Sequence, residues 1–211
     1  MDRSGSHRTT FFGGLGLALV ALVQLVPLVG SWIPNDGPVF VNSVASQIVV
    51  PLLLLVSCVI LAFGFRGEQS VVGSSVLGRV GLLLLGLTSP IQIAFSYLAF
   101  AGHVGSPAAV WTGTALEVLP VVATAIASVA VVRAHVLTGF ARWILVGVAG
   151  AELIQFVLSS VPNATQGYYV AVLFYAAAVP PLLLLSAGVS FALEGRTASI
   201  RQRLQVIYAK W

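Results

Sequence analysis

Charge is the scarcest property of this sequence. Across 211 positions there are ten basic and six acidic residues, 8% charged, against 58% hydrophobic. A soluble domain covers its core with roughly a quarter charged residues, so that class is excluded. Lysine is almost missing, one against nine arginines, as in proteins of GC-rich bacterial genomes. Cysteine occurs once, at Cys58 within an aliphatic run, which excludes an intramolecular disulfide and two-cysteine redox or metal motifs. The three histidines, His7, His103 and His135, lie in tails or loops, which removes a bis-histidine haem site or a histidine zinc site from the apolar segments. Walker, GxSxG and HExxH patterns are also missing. No cofactor is expected. The basic residues lie outside the apolar segments or at their ends and do not alternate with aromatics, so the net charge of +4 does not describe a nucleic-acid surface.

What is present is apolar length. Mean hydropathy is +1.03, and stretches of about 20 apolar residues recur at about 11–32, 43–65, 79–101, 109–132, 142–161 and 167–193. Pro-, Gly- and Asn-bearing segments separate them: IPNDGP, RGEQS, HVGSP, RAHVLTG and PNATQG. The fold class expected is an all-α polytopic membrane protein, six transmembrane helices in an up-down bundle over residues 1–193. A cytoplasmic tail over 194–211 completes it. That tail spaces Ile200, Leu204, Ile207, Tyr208 and Trp211 as one face of an interfacial amphipathic helix suited to an anionic leaflet.

The arginines set direction. Arg3 and Arg8 precede the first span, Arg66 and Arg79 bracket the second loop, Arg133 and Arg142 bracket the fourth, and Arg196, Arg201, Arg203 and Lys210 follow the sixth. The other three loops carry no Lys or Arg. The positive-inside rule puts both termini in the cytoplasm of a cell whose inner (plasma) membrane holds the protein. The first apolar run is too long for a signal-peptide core and no small-x-small cleavage site follows it. The Asn163-Ala164-Thr165 sequon is read as a chance match, since the composition leads us to expect a bacterial chain.

Two glutamates stand inside apolar runs, Glu117 in TALEVLPVVA and Glu152 in VAGAELIQFV. At 1.5 Å per residue both lie roughly 12–13 Å below the outer ends of their spans. Gln24, Gln92 and Tyr175 fall at the same level, with Gln47 and Gln155 slightly nearer the outside. Unrelated packing accidents would scatter in depth. Helical spacing groups Thr88, Ser89, Gln92 and Ser96 on one stripe, Thr114, Glu117, Thr124 and Ser128 on a second, and Glu152, Gln155 and Ser159 on a third. Such stripes turn inward, because hydrocarbon penalises them. Pro27, Pro51, Pro90, Pro120, Pro180 and Pro181 mark the same zone, each freeing the carbonyl four residues earlier. For the glutamines and serines a structural role, bonding those carbonyls or neighbouring helices, competes with a functional one. An ionisable glutamate is a costly choice where an amide would serve. VVPLLLLVS (49–57) and VPPLLLLSA (179–187) form a weak internal repeat that hints at a six-helix ring.

Burial favours the neutral form of a carboxylic acid, and two neighbouring carboxyls share a proton. A pocket built on Glu117 and Glu152 would hold a proton and deliver it to a lipophilic small molecule. In that case Gln24, Gln47, Gln92, Phe95, Gln155, Phe156 and Tyr175 bind the substrate. Phe95, Tyr97, Trp111, Phe156, Phe174 and Tyr175 lie near the layer. Their faces could stabilise a carbocation, or they form an aromatic belt at the membrane surface. In compact size, all-helical membrane architecture and intramembrane acids, the chain resembles the small integral-membrane terpene cyclases of secondary metabolism. The resemblance implies acid-initiated cyclisation of a prenylated or isoprenoid substrate, with Glu117 or Glu152 as proton donor. A proton-coupled transporter using the same glutamates is the alternative, and a homodimer would supply its bulk. Against it, the inner half has no matching polar path. Partners are then the substrate and membrane lipid, with no nucleic acid. The 33–42 segment, with Asp36 and two prolines, either covers the pocket mouth or simply connects two spans.

Overall fold

The computed structural model describes residues 7–30, 44–65, 68–100, 106–161 and 166–208. The 33–42 segment, the 163–165 sequon and Trp211 lie outside the described residues. The described chain forms six helices and no strand: α1 (His7–Gly30), α2 (Val44–Phe63), α3 (Val76–Phe100), α4 (Ser106–Ala134), α5 (Gly139–Ser159) and α6 (Gln166–Tyr208). Each falls on one of the six apolar stretches, because in lipid a helix satisfies its backbone internally. Among the described residues five are long and apolar enough to cross a membrane, within α1, α3, α4, α5 and α6, while the apolar part of α2, Gln47–Phe63, is shorter. Large apolar side chains such as Leu22, Leu52, Val129, Leu153 and Leu193 face outward, as they do in a multi-pass membrane protein and seldom do in a soluble one.

Neighbouring helices run antiparallel and close into a ring. Each packs on the helices before and after it, and α6 returns to α1 in the most extensive of these interfaces. Glycine permits that closure. A Cβ at Gly14 would stand 2.6 Å from the Ala192 nitrogen and 2.6 Å from the Gly188 oxygen, and one at Gly188 would meet the backbone of Ala18 and Gly14. Gly195 approaches His7 and Phe11 in the same way. The α6 helix consequently continues unbroken through 193 and 194, where a separate interfacial tail was expected from the sequence. Its 43 residues extend about 65 Å, far beyond a hydrocarbon core of about 30 Å.

Among the side chains described, the ring is packed in one half. The fully buried ones stop at Ala21 on α1, Thr88 on α3 and Ala151 on α5, and on the returning helices they begin at Pro51, Ala123 and Pro181. The core, including Leu17, Leu54, Leu61, Leu82, Leu145 and Phe191, therefore fills the half nearer the arginine-bearing end. That end is tied by Glu68 of the α2–α3 connection. Its carboxylate accepts from Thr9 N (2.8 Å) and Thr9 Oγ1 (3.0 Å) in the first turn of α1 and lies 3.9 Å from His7 Nε2. A carboxylate there satisfies free amides and complements the helix dipole.

Candidate functional site

Where the packed core ends, a cavity of about 750 Å³ begins, within the range that accommodates a drug-sized ligand. Its floor is aliphatic, from Leu17, Leu54, Leu61, Leu82, Leu85 and Cys58. Its walls carry the polar groups singled out by depth counting: Gln24 from α1, Gln47 from α2, Gln92 from α3, Glu117 from α4, and Glu152 and Gln155 from α5, with Phe156 beside them. Five helices thus bring a Gln or Glu to one cavity. Pro51, Pro120, Pro180 and Pro181 line it too, each inside a continuous helix.

Phe95 and Tyr175 do not share that lining. Counting residues gives depth along a helix, whereas the direction a side chain takes around the axis depends on its neighbours. Tyr175 turns sideways from α6 to α5, where its hydroxyl donates to the Ala151 carbonyl (3.1 Å), one residue before Glu152. Tyr97 donates to Gln47 Oε1 (3.1 Å) and so ties α3 to α2 beside the cavity.

The proline-linked role is explicit at Gln92. Pro120 removes the amide that would bond the carbonyl of Leu116, and Gln92 Nε2 donates to that oxygen at 3.1 Å. Gln92→Leu should therefore cost about 1–3 kcal/mol by orphaning the carbonyl. Adding Pro120→Ala should recover most of it, since the backbone amide returns. A double-mutant cycle of thermal unfolding in detergent checks this; additive losses would separate the two residues.

The glutamates differ. Glu117 is exposed while lining the cavity, so it stands where the cavity is open. Glu152 is largely enclosed. Among the described residues only three buried side-chain atoms lack a hydrogen-bond partner, and two of them are Glu152 Oε2 and Thr124 Oγ1. The Thr124 side chain faces the Glu152 carboxyl without meeting hydrogen-bond geometry with it. Thr124 shares the α4 stripe with Glu117, seven residues on, which is the sequence signal that links it to the site. Glu152 lines the cavity, and its carboxyl oxygen without a partner gives a polar spot that a ligand group or water can satisfy.

Among the described residues no group of three His, Cys, Asp or Glu side chains converges as a metal site would require. Comparison with protein-family models, curated proteins and solved structures finds no match.

Proposed function

We propose that the protein is a membrane enzyme that cyclises a prenylated or isoprenoid substrate by acid–base chemistry in this cavity. The observation that carries the reading is the partnerless Glu152 oxygen, which sits beside an aliphatic floor and shares one cavity with Glu117. The enclosed Glu152 carboxyl donates its proton to a terminal alkene carbon. The resulting tertiary cation is attacked by a second alkene of the same chain, forming the ring C–C bond. Loss of a proton from the adjacent carbon, to Glu117 and back to Glu152 through water, restores the acid. Product and substrate are isomers, so neither oxidant nor cofactor is consumed.

Among the described residues Phe156 is the one aromatic ring that lines the cavity, so the Glu117 carboxylate, rather than several ring faces, would stabilise the cation. The aliphatic floor favours this reading over a proton-coupled carrier, which needs a polar route to the other end. We place the protein in the inner (plasma) membrane with six crossings, α2 being the sixth, and both termini cytoplasmic; the cavity then opens toward the outer half.

The reading is tested by incubating the purified protein in nanodiscs with prenylated alcohols and phenols. Products of unchanged mass are then resolved chromatographically. A new isomer that requires the protein supports the cyclase. Recovery of substrate alone, with proton flux in proteoliposomes on adding the same compounds, would favour the carrier.

A further inference from the structure

The third buried side-chain nitrogen or oxygen without a partner among the described residues, Arg79 Nε, lies at the opposite end of the bundle. It belongs to a second and larger depression, about 1170 Å³, between the α2–α3 connection and the last turns of α4. Four residues that can carry charge line it: Glu68, Arg79, Arg133 and His135. Glu68 is already engaged by Thr9 and His7. The His135 imidazole is already in contact with the Arg142 guanidinium at 3.3 Å. The cations remain. Arg79 gives one NH2 to the Gly73 carbonyl at 3.3 Å, leaving Nε unused, and Arg133 stands exposed in the last turn of α4. The start of α3 beside Ser74 and Ser75 adds the positive end of a helix dipole.

The rest of the wall is apolar: Phe63, Leu77, Ile126 and Val129 are lining residues, and all but Ile126 are exposed large hydrophobics. A cleft lined by two arginines, Arg79 and Arg133, and a hydrophobic wall matches a phosphate ester that carries acyl chains. Guanidinium forks suit phosphate oxygens, and the wall follows the chains into hydrocarbon. We infer that this groove is a binding site for an anionic phospholipid, its phosphate held between Arg79 and Arg133 and an acyl chain laid against Leu77 and Val129. The site is separate from the glutamate cavity and does not depend on the reaction proposed for it.

The experiment titrates purified protein in detergent with dioleoyl-phosphatidylglycerol, dioleoyl-phosphatidylcholine or inorganic phosphate, reading bound lipid by native mass spectrometry and stability by thermal unfolding. Phosphatidylglycerol should bind more tightly than phosphatidylcholine, and Arg133→Gln should weaken it about fivefold. Arg133 is exposed, so that variant should fold normally. Arg196→Gln, an exposed cation on α6 outside the groove, should leave the affinity unchanged. Equal binding of the two lipids, or equal effects of the two substitutions, would overturn the site. Full stabilisation by inorganic phosphate alone would overturn the lipid as occupant.

Discussion

Glu152→Gln should lower the rate of isomer formation by about 10²–10⁴, the range that a positioned proton donor contributes, while ligand retention changes little. The amide has the shape of the acid and can still meet a ligand group, but it cannot give up a proton on the reaction's timescale. Glu152→Asp keeps the acid and shortens its reach, so it should retain more activity than the isosteric amide. Glu117→Gln should lower the rate less. Glu117 stands in the open part of the cavity, where water can take over part of proton return, although its charge would still be missed by a developing cation. Single-turnover kinetics on a prenylated substrate, together with ligand-retention measurements, distinguish these outcomes. Equal rates for Glu152→Gln and wild type would remove the glutamate from the chemistry.

The second large effect concerns architecture. Gly188→Val should destabilise the bundle by about 3 kcal/mol or more and lower the unfolding midpoint by roughly 6–12 °C. The atoms that a side chain at Gly188 would meet belong to the backbone of Ala18 and Gly14, which cannot swing aside as a rotamer can. The α1–α6 contact closes the ring, so separating these helices loosens the cavity's floor as well. Gly150→Ala is the matched control: nothing lies within 4 Å of a Cβ there, and alanine favours helix by about 0.5–1 kcal/mol. Thermal unfolding of both variants in one detergent gives the comparison. Similar midpoints would mean that α1 and α6 do not approach as closely as described.

Much of this was legible in the sequence because a bilayer leaves the backbone few choices. Apolar runs of spanning length become helices, and the Pro-, Gly- and Asn-bearing breaks in the sequence limit where they can end. Depth was legible too. Each residue adds a fixed 1.5 Å, so counting from the loops was enough to group Gln24, Gln47, Gln92, Glu117, Glu152 and Gln155, which one cavity brings together. Rotation about the helix axis was not legible, since it is decided by packing between helices. That is why Tyr175 reaches the Ala151 carbonyl, and why Phe95 does not share the lining. The continuation of α6 was hidden for a related reason. Gly195, just beyond the expected end of the last span, is a contact point against His7 and Phe11. Thr124 looked like one hydroxyl among several on its stripe until its burial and its position opposite Glu152 distinguished it.

The most direct test of the central claim, that the cavity processes a lipophilic molecule by way of its glutamates, is mass spectrometry of organic extracts. The protein would be purified from its membrane as wild type and as Glu152→Gln. Wild type should carry a cyclised isoprenoid, and the variant should carry an acyclic isomer of the same mass. If neither form retains any specific lipophilic compound beyond bulk membrane lipid, the cavity does not serve a prenylated substrate and the enzymatic account fails.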